Sequence, residues 1–179
     1  MKTTLLAVAM AAAAGLSGMA PRANAAAGAS ITFKMVRSEG ATCLPSNAHA
    51  RVTISDLGLV QNMHIEVFGL APNTVFTTFI IQHANKPFGL GWYQGDIATN
   101  SRGRGVADFR GIFNDETFIV SDPPTQLDHL GIWFADPNDA GQAGCANTVT
   151  PFDGDHEAGI QVLNTSNFAD DKGPLLNLK

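Results

Sequence analysis

The sequence predicts an all-β fold, a sandwich or barrel-like domain of antiparallel strands, and three features support this prediction. Several segments alternate apolar and polar residues, as a half-buried strand does. Groups of Gly, Pro, Asn, Asp and Ser separate these segments at short intervals and favour turns. No window has the periodicity of an amphipathic helix of three turns, and we expect at most one helical turn, over residues 136–141.

The strands are predicted to follow one another from residue 31 onward. Residues 31–37 are rich in β-formers, and 52–54 and 63–67 alternate apolar with polar side chains. Residues 75–81 are apolar or threonine on both faces, which predicts a central strand that is covered on both sides. An extended tail is predicted over 170–179. Further strands are predicted at 90–98, 105–113, 117–120, 127–135 and 160–163.

The first 25 residues have the build of a secretory signal peptide. A basic residue near the start precedes an apolar run over 5–16, and a small-x-small cleavage site ends at Ala25. We therefore predict a cleaved N-terminal signal helix at 1–25, a flexible leader at 26–30 and a single β-sandwich domain at 31–179. The apolar run is too short to span a bilayer and no longer one follows, so we expect a secreted or periplasmic chain without a transmembrane segment.

The charge of the chain argues against a nucleic-acid partner. Removal of the signal peptide takes away Lys2 and Arg22, which leaves 9 basic and 16 acidic side chains and a net charge of −7 with histidine neutral. Nucleic-acid surfaces need clustered Lys and Arg to displace counterions. Arg102 and Arg104 are the closest basic pair, and glycines flank them.

Cys43 and Cys145 are the two cysteines of the chain. In a secreted protein an even number of cysteines predicts a disulfide, here between the N-terminal strand region and a late loop. The alternatives are two free buried thiols or a metal pair, although neither residue has a second cysteine nearby, as a metal site would prefer.

Residues 69–76, Gly-Leu-Ala-Pro-Asn-Thr-Val-Phe, resemble the corner GL-x-P-N-T-x-Y of fibronectin type III and other immunoglobulin-like sandwiches. There a strand ends, turns through Pro-Asn and enters the opposite sheet. Phe76 stands where tyrosine is usual, so the hydrogen bond of a tyrosine corner is absent. The resemblance implies a Greek-key or immunoglobulin-like β-sandwich and gives no information about a ligand.

Two further segments, 95–97 and 105–108, are similar to the segment GDL … G-x-A-D of the copper/zinc superoxide dismutase sandwich. That family places a copper-binding His-x-His just after its GL turn, where residues 76–79 of this chain read Phe-Thr-Thr-Phe. The resemblance therefore implies a shared Greek-key shape without the copper ligands.

Blocks at 87–96, 129–134 and 159–165 resemble an uncharacterised family of secreted bacterial β-sandwich proteins. This resemblance spans most of the mature chain and brings no assigned activity with it.

The aromatic segment at 92–96 is the candidate ligand-binding site. Trp92 and Tyr93 could present flat faces to a sugar or a peptide, while Gln94 and Asp96 bind the edge of the ligand by hydrogen bonds. The alternative is structural: Trp92 packs in the core and Tyr93 points to the opposite face.

The acidic segment 153–157 is a candidate Ca²⁺ site, because its acids stand at every second position. Its candidate ligands are Asp153, Asp155 and Glu157. An EF-hand is excluded, since Ala158 stands where Gly is required and Asn164 where a bidentate Glu is expected. The alternative is a solvated acidic loop.

Three histidines could meet with these acids in a zinc or copper site: His83, His129 and His156. No local His-x-His or His-Glu-x-x-His motif supports such a site, and separate surface or capping histidines are the alternative. Ca²⁺ or Zn²⁺ would be the metal that these groups suit, and no other cofactor is predicted.

These observations predict a secreted or periplasmic non-catalytic binding module for a ligand, a sugar or an extracellular protein. The chain has no Gly-x-Ser-x-Gly elbow, so a non-catalytic role is favoured over an enzymatic one, although the sequence does not decide between them. One alternative is a metal-dependent or hydrolytic extracellular enzyme that uses His83, His129, Asp155 and His156. Another is a structural component of an envelope or matrix, whose edge strands pair with other copies.

Overall fold

Antiparallel strands make up most of the computed structural model, which describes residues 28–113, 117–118, 124–151 and 157–178. The all-β prediction is confirmed. The strands are β1 (Ser30–Arg37), β2 (His49–Asp56), β3 (Gln61–Phe68), β4 (Val75–Ile81), β5 (Gly91–Ala98), β6 (Gly105–Gly111), β7 (Thr117–Phe118), β8 (Thr125–Gln126), β9 (His129–Phe134), β10 (Thr150–Pro151), β11 (Glu157–Ala158) and β12 (Gln161–Asn164). The helical elements are α1 (Pro137–Gln142) and a 3₁₀ turn over Pro174–Asn177.

Eight of the described strands form one antiparallel sheet in the order β5-β4-β9-β12-β1-β2-β3-β6. The two ends of this order, β5 and β6, are consecutive in the chain and meet at a bridge between Thr99 and Gly105. The sheet therefore curls round a central core into a barrel-like shape. Strands β4, β5 and β6 follow one another and β9 returns to lie beside β4, which is the Greek-key arrangement.

Strands β2 and β3 have one buried and one wet face, as their alternating sequences predict. Ile54 on β2 and Ile65 on β3 are fully buried in the barrel core. The outward side chains of this region are polar: Arg51 lies 3.8 Å from Glu66 across the two strands. Water therefore covers this side of the barrel and no second layer is needed there.

Strands β4 and β9 differ, because they are buried on both faces. Phe76 and Ile80 of β4 point into the barrel core, whereas Phe79 and Ile81 belong to a second apolar cluster outside it. Trp133 of β9 is the largest member of that outer cluster. The prediction of a central strand covered on both sides is therefore confirmed for β4, and the outer cluster is the floor on which the candidate site lies.

The corner before β4 is closed by a threonine and not by a tyrosine. The hydroxyl of Thr99 donates a hydrogen bond of 2.7 Å to the carbonyl of Ala71 and accepts one of 3.0 Å from the backbone N–H of Thr74. Asn73 at the tip has a φ of 52°, a left-handed conformation that asparagine tolerates. Phe76 is therefore free to serve as a core residue.

Residues 1–27, which contain the predicted signal peptide and the start of the leader, lie outside the described residues. Strand β1 begins at Ser30, one residue earlier than predicted. The carbonyl of Ala29 accepts a hydrogen bond of 3.1 Å from the N–H of Asp56. Among the described residues, no helix is long and apolar enough to cross a bilayer.

The sequence predicts an extended tail over 170–179. This prediction is wrong for residues 174–177, which form a 3₁₀ turn. The carboxylate of Asp128 accepts a hydrogen bond of 2.9 Å from the N–H of Gly173, and its carbonyl accepts one of 3.2 Å from Leu175. Leu175 is fully buried in the core. Pro174 presets the backbone for such a turn, and Asp128 holds the turn against the barrel.

Cys43 and Cys145 form the predicted disulfide, with their Cα atoms 5.0 Å apart. The bond joins the loop after β1 to the end of helix α1. The guanidinium of Arg37 supports the same loop, since it donates hydrogen bonds to the carbonyls of Ala41 and Leu44 at 3.3 and 2.9 Å. The chain is therefore tied across a separation of 102 residues.

We predict that the double variant Cys43→Ser/Cys145→Ser loses about 3–4 kcal/mol of unfolding free energy, because the disulfide closes a long loop in the unfolded chain. Urea denaturation followed by circular dichroism measures this loss. A reducing agent should lower the midpoint of the wild-type protein to that of the variant and leave the variant unchanged. Equal stability of the variant and the oxidised wild type would contradict the prediction.

Candidate functional site

The residues predicted to bind a ligand lie on strand β5 and not on a loop. Trp92 and Tyr93 are about half exposed, at 52% and 53%. The register pairs Trp92 with Ile80 and Tyr93 with Phe79. Since Ile80 packs in the barrel core and Phe79 packs outside it, the two aromatic side chains point to opposite faces of the sheet. They do not form one aromatic platform.

Strand β5 contains a β-bulge, and the bulge sets which side chains share the outer face. The register shifts between Thr78 and Phe79 of β4, with Gln94 as the extra residue on β5. In a regular strand, side chains three residues apart lie on opposite faces. The extra residue brings Asp96 to the same face as Tyr93, where both stand over β4.

Gly95 is the residue that permits this bulge. Its φ is 150°, and a Cβ atom at this position would lie 2.6 Å from the Cε1 atom of Phe109 on β6. Phe109 therefore packs directly against the backbone of β5, where the sheet closes. The amide of Gln94 is directed along its own strand, and donates a hydrogen bond of 3.4 Å to the carbonyl of Trp92.

Four aromatic rings form a connected cluster on the outer face of β4, β5 and β9. The ring of Phe79 lies edge-on to Tyr93 at 5.6 Å and to Trp133 at 5.5 Å between centroids. Phe88, from the segment between β4 and β5, lies edge-on to Trp133 at 5.1 Å. These are favourable geometries for aromatic pairs. Trp133 is fully buried beneath the others, while Phe88 and Tyr93 reach the surface.

A groove of about 750 Å³ lies above this cluster, and we call it the outer groove. Its floor comes from β4, β5 and β9, and one wall comes from the ribbon of β10 and β11. The residues that give it its chemical character are Phe79, Phe88, Tyr93, Asp96, Pro151 and Glu157. The volume is that of sites that hold small organic molecules.

Tyr93 and Asp96 form a polar pair at the rim of the outer groove. Partial burial raises the pKa of the Tyr93 hydroxyl above its ordinary value, and the charge of Asp96 and a hydrogen bond to that carboxylate raise it further. An ionised carboxylate only accepts hydrogen bonds, so the hydroxyl of Tyr93 is the donor in this interaction. The bulge makes the pair possible, because it brings both side chains to one face.

The structure brings only part of the predicted sites together. Tyr93 and Asp96, from the predicted ligand-binding set, line the outer groove with Glu157, from the predicted metal set. Trp92 and Gln94 are not among the lining residues. The other acidic candidates and one histidine lie outside the described residues: Asp153, Asp155 and His156.

The two remaining histidine candidates do not reach the outer groove. His129 is fully buried, and its Nδ1 atom lies 2.8 Å from the hydroxyl of Thr165. His83 lies two residues after the end of β4, and its backbone N–H donates a hydrogen bond of 3.0 Å to the carbonyl of Phe88. In the described parts of the chain, no three side chains of His, Cys, Asp or Glu gather closely enough to hold a metal ion.

Three aromatic residues of the outer groove were not among the predicted site residues: Phe79, Phe88 and Trp133. The sequence contains one signal for them, since residues 75–81 are apolar on both faces and so require cover outside the barrel. The sequence does not indicate which other residues cover the outer face of this strand. The pairing of β4 with β9 brings Phe79 and Trp133 together over a long separation in the chain.

A scan of this chain against known protein families finds no match, and a search of curated proteins finds none either.

We predict that Gly95→Ala lowers the unfolding free energy by about 1–3 kcal/mol, because the added methyl group meets the ring of Phe109. Thermal or urea unfolding measures the loss. The matched control is Gly141→Ala in helix α1, where the nearest atoms are 4.0 Å away and no loss is expected. Adding Phe109→Leu to Gly95→Ala should restore part of the stability, and a Gly95→Ala variant as stable as wild type would contradict the argument.

Tyr93 is the one tyrosine of the chain, so an absorbance titration at high pH reports on it alone. We predict ionisation above the ordinary tyrosine pKa of about 10, and a lower pKa in Asp96→Asn, which removes the neighbouring charge. A raised folded-state pKa stabilises the fold below pH ~10, and this stabilisation is lost as the pH rises through the folded-state value. A pKa unchanged by Asp96→Asn would show that the pair does not form in solution.

Proposed function

We propose that this protein is a non-catalytic binding module of an extracytoplasmic compartment, and that it holds a small organic ligand in the outer groove. One observation carries the proposal: the aromatic cluster of β4, β5 and β9 lies outside the barrel core and has an open groove above it. An aromatic cluster that served only to stabilise the fold would contribute most if other residues shielded it fully from water. Here Tyr93 remains 53% exposed at the rim.

The composition of the outer groove supports a binding role. Most of its lining residues are aromatic or apolar, and the carboxylates of Asp96 and Glu157 and the hydroxyl of Tyr93 are among its polar groups. Small-molecule sites have this character: apolar contact supplies affinity, and a few polar groups orient the ligand. The rigid strands beneath keep these groups in place without a ligand.

The enzyme alternative receives less support from the described residues. A hydrolytic or metal-dependent site needs histidines and carboxylates that converge in a cleft. His129 is fully buried, and its ring lies against the hydroxyl of Thr165. The outer groove contains carboxylates but receives neither His83 nor His129.

Two features favour a location outside the cytoplasm. The Cys43–Cys145 disulfide is of the kind that persists in oxidising compartments. The first 25 residues have the sequence pattern of a signal peptide, with cleavage expected after Ala25. A module exported in this way would meet its ligand in the periplasm or the surrounding medium.

The proposal predicts that small molecules found to bind in an NMR screen shift the signals of outer-groove residues, and that Gly91→Leu prevents this binding. Gly91 lines the groove, and a Cβ atom there meets its neighbours at ordinary contact distances of 3.4–4.0 Å, so the variant should fold and fill the space. The screen should contain sugars, amines and carboxylic acids.

Gly141→Leu is the matched control for this test, since position 141 is exposed on α1 and far from the groove lining. It should bind as the wild type does. Ligands whose affinity is equal in Gly91→Leu and wild type bind elsewhere, and that result would refute the role of the outer groove.

A further inference from the structure

The charge of the outer groove points to the class of its ligand. Among the described residues that line it, the charged side chains are Asp96 and Glu157, and both are acidic and exposed. They come from different parts of the fold, strand β5 and strand β11. An anionic ligand would be repelled there, whereas a cation would be attracted.

The hydrogen-bonding groups of the outer groove favour the same class of ligand, a cation. Carboxylates accept hydrogen bonds and donate none when ionised. The hydroxyl of Tyr93 interacts with the carboxylate of Asp96, which helps to raise the pKa of Tyr93. The hydroxyl of Thr150 donates to the carbonyl of Gly159 at 2.8 Å. The two carboxylates are therefore best matched by a ligand that supplies a positive charge or donors of its own.

The aromatic rings supply the second part of a cation site. Tyr93 and Phe88 reach the surface of the outer groove, with Phe79 beneath them. The face of an aromatic ring carries partial negative charge and attracts a cation that lies within about 6 Å of its centre. Rings combined with carboxylates form the kind of site that takes alkylated ammonium groups.

On the basis of the proposed function, we propose that the ligand of the outer groove is a small soluble organic cation whose ammonium group carries alkyl substituents. A primary ammonium has three N–H donors to satisfy, and over the floor of the groove the side chains of Phe79 and Phe88 offer it no acceptors. A quaternary ammonium has no N–H donors. It gains from the rings and the carboxylates, and its methyl groups pack on the apolar walls.

The decisive experiment compares choline with its neutral carbon analogue, 3,3-dimethylbutan-1-ol, on the purified wild-type protein with its disulfide intact. The two molecules have nearly the same shape and differ in charge. Calorimetry or NMR titration should show choline binding at least about fivefold more tightly. Equal affinities, or preference for the neutral analogue, would overturn the cation assignment.

The pKa of Tyr93 gives an independent readout from the same protein. A bound cation stabilises the tyrosinate, so saturation with choline should lower the pKa seen in the absorbance titration. The neutral analogue removes water from the rim without adding charge, and should leave the pKa unchanged or raise it. A pKa that choline does not lower would show that the cation lies away from Tyr93 and would overturn the assignment.

Variants test which groups hold the cation. Asp96→Asn and Glu157→Gln should each weaken choline binding about fivefold or more and leave binding of the neutral analogue unchanged. Glu66→Gln is the matched control, because it removes the same charge from the polar side of the barrel, where Glu66 lies by Arg51. It should bind choline as the wild type does. An equal loss in all three variants would indicate that only net charge matters and would refute a built site.

Tyr93→Leu and Tyr93→Phe separate the ring from its hydroxyl. The ring supplies the cation contact, so Tyr93→Phe should retain most choline binding while Tyr93→Leu loses it. Failure of the cation assignment is distinguishable from failure of the proposed function. If other molecules from the screen bind in a way that Gly91→Leu abolishes, the groove remains a binding site and only its ligand class is wrong. Binding to phosphatidylcholine vesicles without binding of soluble choline would also overturn the assignment.

Discussion

Burial on both faces of β4 and β9 is the constraint on which the rest of this molecule depends. The barrel core covers one face of these strands, and Phe79, Ile81 and Trp133 stand on the other. Leaving such side chains in water would cost about 1.5–3 kcal/mol for each one. The segment that carries Phe88 and the ribbon that ends in Ala158 supply the cover. The cover stops short of Tyr93, and the outer groove is what remains between them.

The strands of the barrel could be predicted because their signal is local. Alternating side chains in β2 and β3 and the doubly apolar stretch of β4 identify the strands, and Asp136 caps a short helix where a helical turn is predicted. The candidate site could be predicted only in part. Tyr93 and Asp96 stand out as an aromatic residue and an acid in a segment rich in glycine. The face that they share depends on the bulge at Gln94, and that follows from the pairing with β4.

The resemblance to the copper/zinc superoxide dismutase sandwich concerns the same part of the barrel. That family places its copper-binding His-x-His where this chain has residues 76–79, which belong to β4. Thr77 and Phe79 of this stretch line the outer groove. A hydroxyl and an aromatic ring are poor ligands for copper, and the ring is a good surface for an apolar or cationic group.

The acidity of the whole chain does not by itself make a cation site. At physiological ionic strength, charges farther apart than about 8 Å are largely screened, so the many acids on other faces act mainly on the rate of encounter. In the proposed site Asp96 and Glu157 would act on the bound state, because they lie on the groove itself. The ring of Tyr93 would face the ligand, and its hydroxyl interacts with the carboxylate of Asp96. Selectivity for a cation would therefore reside in these three side chains, and the bulge in β5 is what allows two of them to act together.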